Sequence, residues 1–145
     1  MPTHAISHIE SSGIALVESF LEALKANDLE RALAFLADDV VYQNVPLPPD
    51  RGKPRVRRTL QALMGLVSEF DVRMINIAEH DGVVLTERTD ILRGPWLDLE
   101  FWVCGTFEIR EGKIVLWRDR FDVGGFVFQL AVSPLRRLLR ASRGA

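Results

Sequence analysis

The sequence has little cysteine, histidine or tyrosine, and it has no long apolar run. Cys104 is the only cysteine among 145 residues, so no intramolecular disulfide can form, which fits a reducing cytoplasm. Of the three histidines, His4 and His8 have helical spacing, but no third ligand lies near them, and no metal site is expected. No stretch reaches the roughly 18 apolar residues that a membrane span requires. The opening Met1-Pro2-Thr3-His4 lacks the basic-then-apolar layout of a secretory leader. A formal charge of -2 leaves no excess of basic residues, which excludes a generic nucleic-acid footprint. A composition that is 48% hydrophobic excludes general disorder. A chain of this length predicts one domain over residues 1–145, large enough for an enclosed core.

What is present divides into helical and strand halves. Ser7 and Glu10, with Ile6 before them, fit a capping box, and Ile14, Val17, Leu21 and Leu24 then repeat at helical spacing. Asn27 and Asp28 break that helix, and Asp28 can cap a second one carrying Leu29, Leu33 and Leu36. Residues 40–45 read as a strand with Tyr42 and Asn44 on one face, running into a proline-rich loop. A third helix carries Leu60, Leu63, Met64 and Val67. Strands follow over 72–78, 83–92, 97–109 and 114–121, the third long enough to bend at Gly105, with hairpin signals at Asp81-Gly82 and Glu111-Gly112. The tail from Phe126 reads as helix broken at Ser133-Pro134. This order predicts an α+β fold, a curved mixed or antiparallel sheet wrapped around N-terminal helices and closing a deep apolar pocket.

The charges on the strands are the anomaly. Side chains two apart on a strand share a face. Arg88 therefore points with Asp90, and Asp119 with Trp117 and Phe121, whereas Arg118, Arg120 and Asp122 take the opposite side. The face carrying Arg88, Asp90 and Asp119 is otherwise apolar, with Val84, Leu92, Val115, Trp117 and Phe121 as expected lining. Trp96, Phe101, Trp102 and Phe107 read instead as core or dimer contacts. A buried carboxylate needs a partner, and a guanidinium can serve two at once. Two carboxylates in one pocket split their pKa values, which supplies an acid beside a base.

Three segments in order, Tyr42-x-Asn44, Glu87-Arg88-Thr89-Asp90-Ile91-Leu92 and Trp117-Arg118-Asp119-Arg120-Phe121-Asp122, carry a resemblance over nearly the whole chain. The chain resembles the limonene-1,2-epoxide hydrolase family, within the SnoaL/NTF2-like group of cone-shaped domains. The resemblance implies a catalytic set of Asp90, Asp119, Arg88, Tyr42 and Asn44. Asp90 matches the acid that protonates the epoxide oxygen, Asp119 the base that deprotonates the attacking water, and Arg88 the bridge between them. Tyr42 and Asn44 match the groups that help hold the water, and Trp117 an aromatic wall. The substrates implied are a small apolar epoxide and water, with no cofactor and no metal, in a homodimer. The alternatives are an isomerase or cyclase of the same fold, and a non-catalytic binder of apolar small molecules. The arginine-rich tail, Leu135 to Arg143, has two readings: attachment to an anionic surface or partner, and a solvated terminal helix.

Overall fold

Ser12 opens the first helix, its hydroxyl accepting a hydrogen bond from the Ala15 N–H at 3.1 Å. Helix α1 (Gly13–Lys25) buries Val17, Leu21 and Leu24 of the expected repeat together with Phe20, and leaves Ile14 half-buried. The computed structural model describes residues 12–144. The Ser7/Glu10 capping box and the His4/His8 pair lie outside the described residues. Asn27 takes a positive φ of 56° at the break, and Asp28 caps α2 (Leu29–Ala34) by accepting from the Arg31 N–H at 3.1 Å.

Strand β1 (Leu36–Val45) starts earlier than its apolar run indicates, with an irregularity in pairing between Leu36 and Val41. Within the proline-rich loop a short β2 (Asp50–Arg51) folds back on β1. Helix α3 (Lys53–Leu66) ends one residue before Val67, which is already extended at φ -115° and ψ 142°. Strands β3 (Glu69–His80), β4 (Val83–Arg93), β5 (Asp98–Arg110) and β6 (Lys113–Phe121) follow. Both two-residue hairpins turn through left-handed pairs, Asp81 and Gly82 at φ 49° and 74°, Glu111 and Gly112 at 53° and 73°. That geometry matches the right-handed twist of the strands it joins.

The sheet order is β2-β1-β6-β5-β4-β3. All neighbours are antiparallel except β1 and β6, which run parallel. This single parallel pair seats Tyr42 beside Trp117 and Asn44 beside Asp119, residues about half the sequence apart. The helices cover one face of the curved sheet, and Phe20, Leu33, Leu36, Phe107 and Ile114 meet in the core between them.

The last element differs from expectation. Helix α4 (Val123–Arg143) runs unbroken through Pro134, capped by Asp122, whose carboxylate accepts from the Gly124 N–H at 3.1 Å. Proline removes one helical hydrogen bond and disfavours a helix on local grounds. Here contacts to β5 bracket it. The Ser133 hydroxyl accepts from the Asp98 N–H, and Arg140 pairs with the fully buried Asp98 carboxylate. Tertiary fastening on both sides of the proline overrides the local break. Among the described residues, no helix is long and apolar enough to cross a membrane.

Candidate active site

Strand alternation on β4 points Thr86, Arg88 and Asp90 toward the helices, and on β6 it does the same for Trp117 and Asp119. Arg88 is 1% exposed, and all three of its guanidinium nitrogens donate. Nε donates to Asp90 Oδ1 at 2.7 Å and Nη2 to Asp90 Oδ2 at 3.2 Å. Nη2 also donates to Asp119 Oδ2 at 2.8 Å, and Nη1 to Thr86 Oγ1 at 2.9 Å. The two aspartates, both buried, are thus joined through one guanidinium.

Strand β5 lies between β4 and β6, so Arg88 must reach across it. The residue beneath the bridge is Gly105, opposite Thr86 on one side and Asp119 on the other. A Cβ there would come within 2.6 Å of Thr86 Oγ1 and 2.9 Å of Asp119 Oδ1, and would run into the Arg88 guanidinium. Glycine is needed for this close approach, since the tips it would strike are pinned by one another. Gly105→Ala is therefore expected to lower both the melting temperature and turnover. An alanine variant with parental melting and parental kcat would mean that the bridge has room to move.

On β1, Asn44 Nδ2 donates to the Tyr42 hydroxyl oxygen at 2.7 Å, and the Tyr42 ring stacks on Trp117 with centroids 4.0 Å apart. Asp119 Oδ1 is buried and has no hydrogen-bond partner among the described residues. Tyr42, Asn44, Asp90 and Asp119 all line one cavity of about 470 Å³. Burial pushes the Asp90 carboxyl up to about 6 against the pull of Arg88. Burial raises Asp119 as well, again opposed by Arg88. For Arg88 burial works against the charge, but Asp119 and Asp90 outweigh it and hold the guanidinium protonated. Burial, with Asp119 nearby, raises the Tyr42 phenol and keeps it neutral. Both shifts run in the direction of protonation, and in two carboxylates joined through one guanidinium the ionisation of either affects the other.

Leu92, Trp117 and Phe121 line the cavity as expected, and Val84 and Val115 do not. Val84 sits opposite Phe107, against which Phe20 of α1 packs edge-on, so at that end the helix fills the sheet face and Val84 belongs to the core. A bulge between β5 and β6 pairs Glu108 with Leu116 but Ile109 with Ile114, which turns Ile114 inward in place of Val115. Phe101, read as core or dimer contact, is cavity wall, on the same β5 face as Leu99 and Val103. The sequence reading missed Thr86 and Gly105 in the bridge, and Phe126 and Leu130 of α4 in the wall. Thr86 was legible by the same alternation as Arg88 and Asp90. The other three depend on what lies across a strand or docks from a distance.

Comparison with known proteins identifies the family and the fold. Residues 11–131 match the model of the limonene-1,2-epoxide hydrolase catalytic domain. Over 108 residues, 74% of this chain and 71% of the relative, the sequence is 46% identical to epoxide hydrolase EphG of Mycobacterium tuberculosis. The solved structure of an M. tuberculosis LEH-like epoxide hydrolase superposes with a TM-score of 0.80 at 40% identity, covering 88% of this chain and 95% of that one. A SnoaL-like polyketide cyclase from Shewanella denitrificans superposes with a TM-score of 0.76 at 18% identity, covering 81% and 96%, and shares the fold alone. NTF2-like proteins are among the other structural neighbours. With its family match spanning most of the described residues, the chain belongs to the limonene-1,2-epoxide hydrolase family.

Proposed function

We propose that this chain opens an apolar epoxide, terpene-like or cyclic, to a vicinal trans diol by direct attack of water. Epoxide hydrolysis is the activity of its family. The observation that carries the mechanism is the buried Asp90–Arg88–Asp119 unit set into the wall of a largely apolar cavity.

An epoxide is strained but leaves as an alkoxide, a poor leaving group. Asp90 gives its proton to the ring oxygen as the C–O bond breaks. Asp119 Oδ1, the carboxylate oxygen without a partner, takes a proton from water as the new C–O bond forms. Tyr42 and Asn44, next to Asp119 across the parallel pair, hold that water on the carbon face opposite the leaving oxygen. Each turnover moves one proton from Asp90 to Asp119, and Arg88 Nη2, bonded to both, keeps them in one unit so that it can return. Proton transfer at each end contributes about 10²–10⁴-fold. Holding water and epoxide in line contributes through positioning. An isomerase or cyclase of this fold has no need of an arginine joining two carboxylates. Leu92, Trp117 and Phe121 hold the hydrocarbon part of the substrate.

A covalent ester on either aspartate is the competing route. It calls for a separate base for the second water. Both aspartates lie within strands, with no nucleophile elbow and, among the described residues, no histidine beside them. One turnover with enzyme in excess in ¹⁸O water is expected to give diol carrying solvent label. Unlabelled first-turnover diol, with label entering an aspartate carboxyl, would overturn direct attack. Two copies are proposed to pair through the outer face of β4 and β5, where Leu85 and Trp102 are exposed. The free thiol of Cys104 fits action in the cytoplasm.

A further inference from the structure

The outward face of α4 is apolar, which is unusual for a helix on the outside of a domain. Phe128, Ala131, Leu135 and Leu138 follow at intervals of three, four and three residues and form one stripe. The stripe lies on the side of the helix away from Ser133, which is buried against β5. Phe128, Leu135 and Leu138 are 64%, 62% and 70% exposed, with Val127 and Leu139 exposed beside them. The helix carries Arg136, Arg137, Arg140 and Arg143 and no acidic residue, although the chain as a whole has a charge of -2. The family match ends at residue 131, so most of this pattern lies outside it.

The stripe does not stand alone. Leu47, Leu63, Leu66 and Leu130 line the cavity and are also exposed, so they form an apolar rim around its mouth. Between α3 and α4 lies the β4–β5 loop. Its Gly94 abuts the Leu66 carbonyl, its Leu97 lines the cavity, and Trp96 is 79% exposed. Rim, Trp96 and the α4 stripe are thus apolar and exposed on elements that surround the cavity, with Arg136 and Arg143 at the flank of the stripe.

We infer that this surface docks on an anionic phospholipid bilayer, with α4 lying in the headgroup plane and the cavity mouth turned toward the lipid. Leucine and phenylalanine insert at the headgroup–acyl boundary, the arginines at the edges meet phosphates, and tryptophan favours that interface. A second copy of the chain is the poorer occupant. Two α4 helices face to face would bring Arg136, Arg137 and Arg143 of each copy near one another with no acidic residue on the helix to pair them, since α4 has none and Arg140 is already held by Asp98. The fold already holds the helix in place, since Ser133 and Arg140 tie it to Asp98. Docking would also supply the apolar cavity from the phase into which apolar epoxides partition. The inference does not depend on the proposed chemistry, because binding is measured without substrate.

The test is co-sedimentation of the full chain with vesicles of phosphatidylglycerol and phosphatidylcholine, against vesicles of phosphatidylcholine alone. Binding to the anionic vesicles only is expected, and added salt should release it. Leu135→Glu with Leu138→Glu should weaken binding by about tenfold or more. These residues are not cavity wall, so turnover of a water-soluble epoxide should be unchanged. Arg137→Glu with Arg143→Glu, which leaves the Asp98 pairing alone, should weaken binding similarly and serves if the leucine variant fails to fold. Equal affinity for both vesicle types, no sedimentation with either, or parental binding by the charge-reversed chain would overturn the inference. So would a halved mass in light scattering for the leucine variant, because that would mean a second copy covers the stripe.

Discussion

Asp90→Asn and Asp119→Asn are each expected to lower kcat by about 10³-fold or more while the fold survives. Asparagine has nearly the same shape and still offers Arg88 an oxygen. It cannot give an acidic proton to an epoxide oxygen or accept one from water. The pH dependence should separate the chemistry from mere shape. In the proposed mechanism the working state holds one proton between the two carboxylates. Loss of that proton, as pH rises through the Asp90 value of about 6, should bring kcat/KM of the parent down on the alkaline side. The sign for stability follows from the same shift. A carboxyl raised from 3.8 to about 6 in the fold binds a proton more tightly there than in the unfolded chain. The stabilisation from that proton is complete below 3.8 and is lost as pH rises toward about 6. Asp90→Asn should therefore show a flatter melting temperature across that window. Circular dichroism melts and initial rates of diol formation would check both points. Near-parental turnover in either variant would remove that residue from the proton transfers.

Much of this site is written in strand alternation. Arg88 with Asp90, and Asp119 with Trp117, needed only the period of two and an apolar face that made their charges anomalous. The order of the strands was not legible in the same way. That β5 lies between the two charged strands decides that Arg88 must cross it, and hence that position 105 must be glycine. From sequence, Gly105 read only as a bend in a long strand. Val84 had the right face but the wrong end, because α1 fills the sheet there through Phe20. Pro134 read as a helix break because its local cost is real, and the contacts that offset it come from Asp98, far away in sequence. The cavity wall from α4 was hidden for the same reason. Phe126 and Leu130 reach the pocket only because that helix docks over it.

Arg88→Lys is expected to cost both stability and turnover, although it keeps the charge. Lysine offers three donors from one point, whereas Arg88 uses three nitrogens on three partners across a neighbouring strand. An ammonium close enough to pair with Asp90 would leave Asp119 without a cation, and its carboxylate is already buried with one oxygen unpartnered. Breaking a buried ion pair costs about 3 kcal/mol or more. In a chain of this size that corresponds to a fall in melting temperature of roughly 10 °C. Turnover should drop at least about 10²-fold, since the acid and the base would no longer be held at a fixed separation. Parental melting together with parental kcat would mean that charge alone suffices and that no bridge is required. A variant that melts like the parent but turns over slowly would locate the whole effect in the placement of the aspartates. A variant that loses both, and recovers neither at a pH low enough to protonate one aspartate, would show the fork itself to be the requirement. Protonation can relieve the repulsion between two carboxylates, but it cannot replace the second arm that carries Arg88 across β5.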